Sequence, residues 1–162
     1  MRIASVLENQ NIEKRIAITP EIAKKYIALG FEISLTTKYG EHLGFKDSEY
    51  KDLGVEISSN ETEILSKANI IIQLGLLSDE NLSNLKENQT LIGVLNPYAH
   101  KEKIENLSKK NINVFSLEML PRITRAQSMD ILSSQANLAG YKAVIESFAN
   151  FEKAIPMMMT AA

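Results

Sequence analysis

Two arginines, a glutamine and an aspartate lie within nine residues of one another, between an apolar run and a long helical segment. The apolar run, residues 114–117, is predicted to be a strand, and the polar residues are Arg122, Arg125, Gln127 and Asp130. In α/β folds, a strand end that leads into a helix is where ligand-binding groups project from a rigid frame. An arginine presents a planar fork suited to a carboxylate or carboxamide, and an Arg122–Asp130 pair would fix the loop. A glutamine amide both donates and accepts hydrogen bonds. The spacing predicts a ligand-binding loop.

A purely structural role explains some of the same residues. Thr124 and Gln127 have the spacing of a capping box, in which the glutamine side chain returns to the backbone N–H of the threonine. Arg125 and Ser128 are explained equally well as solvated surface residues. Considered without any further information, the short motif favours the structural role.

The helix predicted from residue 131 to about residue 151 is rich in small side chains. Small side chains allow another backbone to approach closely, either within the chain or across a dimer, and the periodicity does not separate these two possibilities. Asn137 and Tyr141 lie four residues apart on one face of this helix, and a buried tyrosine that packs between two domains is expected at position 141. The small residues are Ser133, Ser134, Ala136, Ala139, Gly140 and Ala143.

Composition excludes several classes of protein. The chain has 162 residues, with 18 Lys and Arg against 20 Asp and Glu, and a dedicated nucleic-acid-binding protein normally shows a basic patch. Without cysteine there are no disulfides and no thiolate metal sites, and His42 and His100 lack the spacing of metal ligands. No apolar run approaches the roughly 20 residues that span a bilayer. A cytoplasmic protein without a metal or nucleic-acid partner is predicted.

Strands and helices are predicted to alternate along the chain. Thr19, Pro20 and Glu21 form a strong helix start, and Gly30 marks the end of that helix. This alternation predicts an α/β fold with a mostly parallel sheet covered by helices on both faces. The predicted strands are 3–7, 31–35, 55–57, 70–74, 90–95 and 112–117, and the predicted helices before the last one are 20–29, 47–53, 61–67, 80–86 and 101–110.

The long segment from residue 121 to residue 144, PRITRAQSMDILSSQANLAGYKAV, resembles the NAD(H)-binding component, the alpha subunit, of proton-translocating NAD(P) transhydrogenase. That family shares its Rossmann-like first domain with alanine dehydrogenase. The resemblance implies that Arg122, Gln127, Asp130 and Ser133 bind the nicotinamide end of NAD(H), and that the first three act in catalysis. The length of the match favours the functional role for Arg122, Gln127 and Asp130, but not for Arg125 or Ser128.

The resemblance also implies an activity and its partners. The activity is hydride transfer from NADH to NADP⁺, with proton translocation by separate membrane-spanning components and NADP(H) bound on a partner component. The expected protein is a homodimer, peripheral on the cytoplasmic inner face of the membrane and not inserted in it. Catalysis by hydride transfer requires geometry rather than an acid–base residue, because the cofactors carry the reaction.

The second, dinucleotide-binding domain of the family is expected to be absent from this chain. The seven glycines include no pair with the G-x-G spacing that admits a pyrophosphate. The expected organisation is an N-terminal α/β domain at 1–125, a long linking helix at 126–155, and a tail at 156–162 where the missing domain begins. The 162-residue chain alone is therefore expected to be inactive.

Two alternatives remain open from the sequence. An alanine dehydrogenase-like enzyme would use an arginine at position 15 together with a lysine and a histidine, as the resemblance implies. Arg15 is present, but Gly75 and Asn96 occupy the other two places, which leaves no obvious group to remove a proton from an amine. Arg15 is therefore expected to be structural or a remnant of such a pocket. The other alternative is a non-catalytic dimerisation or docking module for a separately made nucleotide-binding chain.

Overall fold

Six parallel strands form one sheet in the computed structural model, which describes residues 1–153. Their spatial order is β3-β2-β1-β4-β5-β6. The chain adds β2 and β3 on one side of β1 and then returns to add β4, β5 and β6 on the other side. Each strand lies within two residues of its predicted position. The strands are β1 (Arg2–Ser5), β2 (Glu32–Thr36), β3 (Glu56–Ser58), β4 (Ile70–Gln73), β5 (Thr90–Gly93) and β6 (Asn113–Ser116).

The predicted helices are also present, and side chains set most of their starts. The Thr19 hydroxyl accepts a hydrogen bond from the backbone N–H of Ile22, while Pro20 occupies the first helical position. Asn60 and Ser78 cap two further helices in the same way. The helices are α1 (Pro20–Ala28), α2 (Asp47–Asp52), α3 (Glu61–Lys67), α4 (Asp79–Ser83), α5 (Lys101–Lys109) and α6 (Ile131–Ala149).

Helix α4 is shorter than the predicted helix at 80–86. The Lys110 ammonium donates to the carbonyl oxygens of Leu82 and Ser83 at 3.4 and 3.1 Å, where a longer helix would place its own backbone N–H groups. The backbone N–H of Lys86 donates to the Gln89 side chain at 2.7 Å instead of continuing the helix. The side chains of Lys110 and Gln89 therefore take the backbone groups that a longer helix would use.

Alternate residues of the strands build a core on each face of the sheet. Ile3, Ile33 and Leu35 belong to one cluster, which also holds Tyr39 and Tyr50. The neighbouring positions Ala4, Ile71 and Leu91 belong to the other cluster, together with leucines from the loops and helices. The register places Ile3 beside Ile33 and Ala4 beside Ile71, so that each residue step along β1 changes the face.

A buried hydrogen-bond network holds the segment before α1 against the sheet. The Tyr39 hydroxyl lies 2.7 Å from the Ser5 hydroxyl and accepts hydrogen bonds from the backbone N–H groups of Ala17 and Ile18, at 3.1 and 3.3 Å. The Tyr50 hydroxyl donates to the Ile18 carbonyl oxygen at 2.9 Å. These bonds satisfy a backbone segment that belongs to no helix or strand.

The chain divides into two compact units, and the second begins at Leu120. Helix α6 starts at Ile131, as predicted, so the span from residue 126 assigned to the linking helix begins inside a separate 3₁₀ turn at residues 124–129. Within the described residues α6 has no buried side chain, and Tyr141, expected to be buried between two domains, is 69% exposed. The predicted tail at 156–162 lies outside the described residues.

Candidate functional site

The four predicted site residues converge on one hollow in the second unit. The chain leaves the 3₁₀ turn Leu117–Met119, forms the second turn Thr124–Met129 and then enters α6. Buried Ala126 anchors that second turn, and its backbone N–H donates to the Ile123 carbonyl oxygen at 2.9 Å. The hollow has a volume of about 270 Å³, and its lining includes Arg122, Gln127, Asp130 and Ser133.

Asp130 is the N-cap of α6. Its Oδ1 atom accepts hydrogen bonds from the backbone N–H groups of Leu132 and Ser133 at 2.9 and 3.1 Å, which satisfies two donors at the helix start. Its Oδ2 atom accepts a hydrogen bond from the Ser133 hydroxyl at 2.6 Å. The Ser133 hydroxyl, the two backbone N–H groups and the charge of Arg122 together hold the pKa of Asp130 below its usual range. The carboxylate therefore stays ionised at neutral pH.

Arg122 does not form the ion pair with Asp130 that the sequence suggested. Asp130 directs its oxygens at the helix start instead, and Arg122 acts on it only through its charge. Arg122 is exposed at the rim of the hollow and joins no salt bridge within residues 1–153. Its guanidinium therefore keeps its donors for a ligand.

Gln127 is also uncommitted. The N-cap of the turn is Ile123 and not Thr124, and no side chain makes a capping hydrogen bond there. The capping-box explanation of Gln127 is therefore wrong. The Gln127 side chain is exposed and makes no hydrogen bond inside the described part of the chain. Its amide is free to donate to and accept from a ligand in the hollow.

These groups are suited to binding and orientation rather than to proton transfer. Arg122 supplies hydrogen-bond donors, Gln127 supplies a donor and an acceptor, and Asp130 supplies a fixed negative charge. A carboxamide on a planar ring presents the complementary acceptor and donors. Arg125 and Ser128 are both exposed and line no part of the hollow, in keeping with their expected surface role.

A second, larger crevice lies in the first unit, at the carboxyl ends of β1, β4 and β5. It has a volume of about 610 Å³ and lies where the strand order reverses, the position at which open α/β sheets bind ligands. Sequence reasoning missed it, because the strand order is not readable from one sequence. Arg15, expected to be structural or a remnant, forms a salt bridge with Glu13 at 2.5 Å. Glu8 is among the side chains that line the crevice.

Comparison with known proteins places the chain in a family. Residues 6–139 match the family described as Alanine dehydrogenase/PNT, N-terminal domain. The chain belongs to this family. Over its whole length it is 43% identical to the first part of the NAD(P) transhydrogenase alpha subunit of Rickettsia prowazekii, and 40% identical to the corresponding protein of Rhodospirillum rubrum. It covers 43% and 44% of those proteins, so the chain spans less than half the length of these relatives.

Solved structures agree with this family membership. A crystal structure of transhydrogenase from Sinorhizobium meliloti has a TM-score of 0.88 and 35% identity, covering 99% of this chain and 48% of that one. An L-alanine dehydrogenase structure shares the fold, with a TM-score of 0.67 at 19% identity over 73% of this chain and 32% of that one. An alanine dehydrogenase sequence from Halomonas elongata is 25% identical. The predicted fold and family are confirmed, and alanine dehydrogenase is the more distant relative.

Residues 1–153 contain neither a candidate membrane span nor a candidate metal cluster. None of the helices there has the length and apolar character needed to cross a membrane. Nor does that part of the chain hold a group of three or more histidine, aspartate or glutamate side chains placed to bind a metal ion.

Proposed function

We propose that this chain supplies the nicotinamide-binding half of the NAD(H) site of a proton-translocating NAD(P) transhydrogenase. The observation that carries the proposal is that Arg122 and Gln127 line one hollow with their hydrogen-bonding groups uncommitted, beside an ionised Asp130. These groups fit the carboxamide and ring of a nicotinamide. When bound, NAD(H) supplies the hydride chemistry.

In this proposal each residue has a distinct task. Gln127 and Arg122 hydrogen-bond the carboxamide and fix the rotation of the ring, which determines whether the hydride points at its acceptor. Asp130 and Ser133 hold the start of α6 in place through their hydrogen bonds, and the Asp130 charge orients the Arg122 guanidinium. A cofactor-binding role for Ser133 is retained through its oxygen lone pairs, since its proton is donated to Asp130.

The proposal extends to the complete protein. There the chain acts with a dinucleotide-binding domain, an NADP(H)-binding component and membrane-spanning components, as a homodimer on the cytoplasmic inner face of the membrane. The long run of exposed apolar side chains on α6 supports an interface with another protein surface. Sedimentation equilibrium of the chain at micromolar concentration tests the dimer, and a mass that stays at 18.1 kDa counts against it.

The decisive experiment is substitution of Gln127 in the assembled transhydrogenase. Gln127→Ala is expected to lower the rate of hydride transfer on the order of 10²-fold, because a misplacement of about 1 Å has an effect of this size. The matched control is Ser128→Ala, a neighbouring exposed residue outside the hollow. Stopped-flow absorbance of a single turnover measures the rate. Equal rates for Gln127→Ala and Ser128→Ala would reject the proposed site.

A further inference from the structure

Two charged side chains of opposite sign line the hollow of the second unit. In the described part of the chain, Asp130 and Arg122 are the only charged residues in that lining, and the others are apolar or uncharged. A charge on a ligand in the hollow therefore interacts at short range with these two side chains.

Three hydrogen bonds fix the Asp130 carboxylate without neutralising it. Its Oδ1 atom accepts from the backbone N–H groups of Leu132 and Ser133, and its Oδ2 atom accepts from the Ser133 hydroxyl. None of these donors is a cation, so the negative charge is held in place but not paired. A carboxylate has about four acceptor positions, and these bonds leave one of them open on Oδ2.

Arg122 does not neutralise Asp130 by contact. The two side chains form no ion pair within residues 1–153, although the charge of Arg122 contributes to lowering the pKa of Asp130. The lining therefore carries two separate charges rather than one neutral pair, and a ligand interacts with each of them.

The size of the hollow brings a bound ring close to Asp130. A sphere with the volume of the hollow, about 270 Å³, is roughly 8 Å across, so a ring inside it lies roughly within the 4–6 Å over which one charge strongly affects another. The nicotinamide ring is a cation in its oxidised form and neutral in its reduced form, and both forms carry the same carboxamide. Hydrogen bonds to the carboxamide do not distinguish the two forms, whereas a fixed charge does.

We infer that Asp130 discriminates between the redox forms of the ligand, favouring the oxidised, cationic ring relative to the reduced, neutral ring, and that Arg122 acts in the opposite sense. The inference rests on the proposed function, because it requires a nicotinamide ring in the hollow. It adds a charge-based selectivity that the hydrogen bonds of Gln127 do not supply.

Neutralising Asp130 tests the inference. Asp130→Asn removes the charge and keeps an acceptor oxygen for the start of α6. The dissociation constants of NAD⁺ and NADH are measured by equilibrium dialysis of the assembled transhydrogenase without NADP(H), so that no turnover occurs. The ratio of the NAD⁺ constant to the NADH constant is expected to rise about five-fold, the effect in water of two unit charges about 4 Å apart.

Two further variants separate charge from other effects of substitution. Arg122→Gln removes the opposite charge and should lower the same ratio. Ser133→Ala is the matched control, because Ser133 lines the same hollow and bonds the same carboxylate but carries no charge. It should leave the ratio unchanged even where both affinities fall.

Two results of the dialysis would overturn the inference. One is an unchanged ratio in an Asp130→Asn enzyme that still binds both nucleotides, and the other is a change of the same sign in Asp130→Asn and Arg122→Gln. Either result leaves the proposed nicotinamide site standing, since that site is rejected separately by equal hydride-transfer rates in Gln127→Ala and Ser128→Ala.

A pair of small probes decides the matter if Asp130→Asn does not fold. In the 162-residue chain carrying Arg122→Gln, Asp130 is the only charge left in the described lining. The cation 1-methylnicotinamide should then bind about five-fold more tightly than neutral nicotinamide, with a difference that shrinks as salt is added. Shifts of the Ser133 amide in nitrogen–proton NMR spectra measure both affinities, and equal affinities at low salt would refute the role of Asp130.

Discussion

The site residues in the second unit fall into two groups, according to whether their polar atoms are already used. Asp130 and Ser133 bond to each other and to the start of α6, whereas the side chains of Arg122 and Gln127 make no hydrogen bond in the described part of the chain. The first pair is therefore part of the frame, and the second pair is available to a ligand. Substitutions in the two groups should have different effects.

Asp130 should stabilise the start of α6 in a pH-dependent way. Because its folded-state pKa is lowered, its contribution is fully present above the ordinary aspartate pKa of about 3.9 and is lost as the pH falls through the lower folded-state value. Hydrogen exchange of the Leu132 and Ser133 amides should be faster in Asp130→Ala at neutral pH. Asp130→Asn, which keeps an acceptor oxygen but no charge, should retain protection without the acid dependence. Unchanged exchange in Asp130→Ala would contradict the capping role.

Tyr39 should contribute to stability through its hydroxyl group. Tyr39→Phe leaves the Ser5 hydroxyl and the backbone N–H groups of Ala17 and Ile18 without this partner, at a cost of about 1–3 kcal/mol in the free energy of unfolding. Tyr98→Phe is the control, because Tyr98 is 82% exposed. Urea unfolding measures both, and equal stabilities would show that water replaces the hydroxyl.

Tyr39 also predicts a loss of stability in alkaline solution. Burial raises its pKa from 10.0 to about 12. A raised folded-state pKa means that the stability it confers is present below pH 10 and declines as the pH rises through 12. Between these values the unaltered chain should lose stability more steeply than Tyr39→Phe. Parallel curves for the two proteins would assign the decline to other groups.

The choice of site residues was predictable only in part. Residues 121–144 resemble a known family over their whole length, and this resemblance predicted four site residues. All four line the hollow: Arg122, Gln127, Asp130 and Ser133. The expected Arg122–Asp130 pair is not formed, because the two N–H groups at the helix start compete for the same carboxylate. A spacing in sequence does not reveal which of two partners a carboxylate will face.

At the scale of secondary structure, two glycines differ in how much space surrounds the position of a Cβ atom. A Cβ atom at Gly93 in β5 would lie 2.4 Å from the Gln73 carbonyl oxygen, in the backbone of the adjacent strand. Gly93→Ala should therefore cost about 1–3 kcal/mol or more in the free energy of unfolding. Gly140→Ala in α6 meets nothing within 4 Å and should raise helix stability by about 0.5–1 kcal/mol. Thermal unfolding followed by circular dichroism measures both, and a destabilised Gly140→Ala would reveal a close neighbour on that face of α6.

Local signals in the sequence predicted that each strand and helix exists. They did not predict where α4 ends or in which order the strands lie in the sheet. Thr19 and Pro20 fix the start of α1 through contacts inside the helix itself. The end of α4 depends on Lys110, which lies 27 residues from Ser83. The position of β1 between β2 and β4 depends on pairing over still longer separations. The crevice at the carboxyl ends of β1, β4 and β5 exists only because of that order, which is why the sequence did not indicate it.

At the scale of the whole molecule, the proposed site would hold only one end of a dinucleotide. No glycine pair in the sequence has the spacing needed for a pyrophosphate, and a ligand held by one end gains little over the entropy lost on binding. Isothermal calorimetry of NADH with the 162-residue chain should show no saturation below millimolar concentration. Saturation at submillimolar concentration with one site per chain would contradict this expectation.

The central position of β1 has a consequence for how the chain folds during synthesis. β1 is made before the other five strands of the sheet and lies in its middle, between β2 and β4, and Ile3 pairs with both Ile33 and Ile70. When the strands up to β3 have emerged from the ribosome, β1 has only one of its two neighbours, and the opposite edge exposes unpaired backbone. The nascent protein therefore keeps one edge of β1 unpaired until β4 has been made. Pairing of β1 with β4 then closes the loop of chain between them and begins the second half of the sheet.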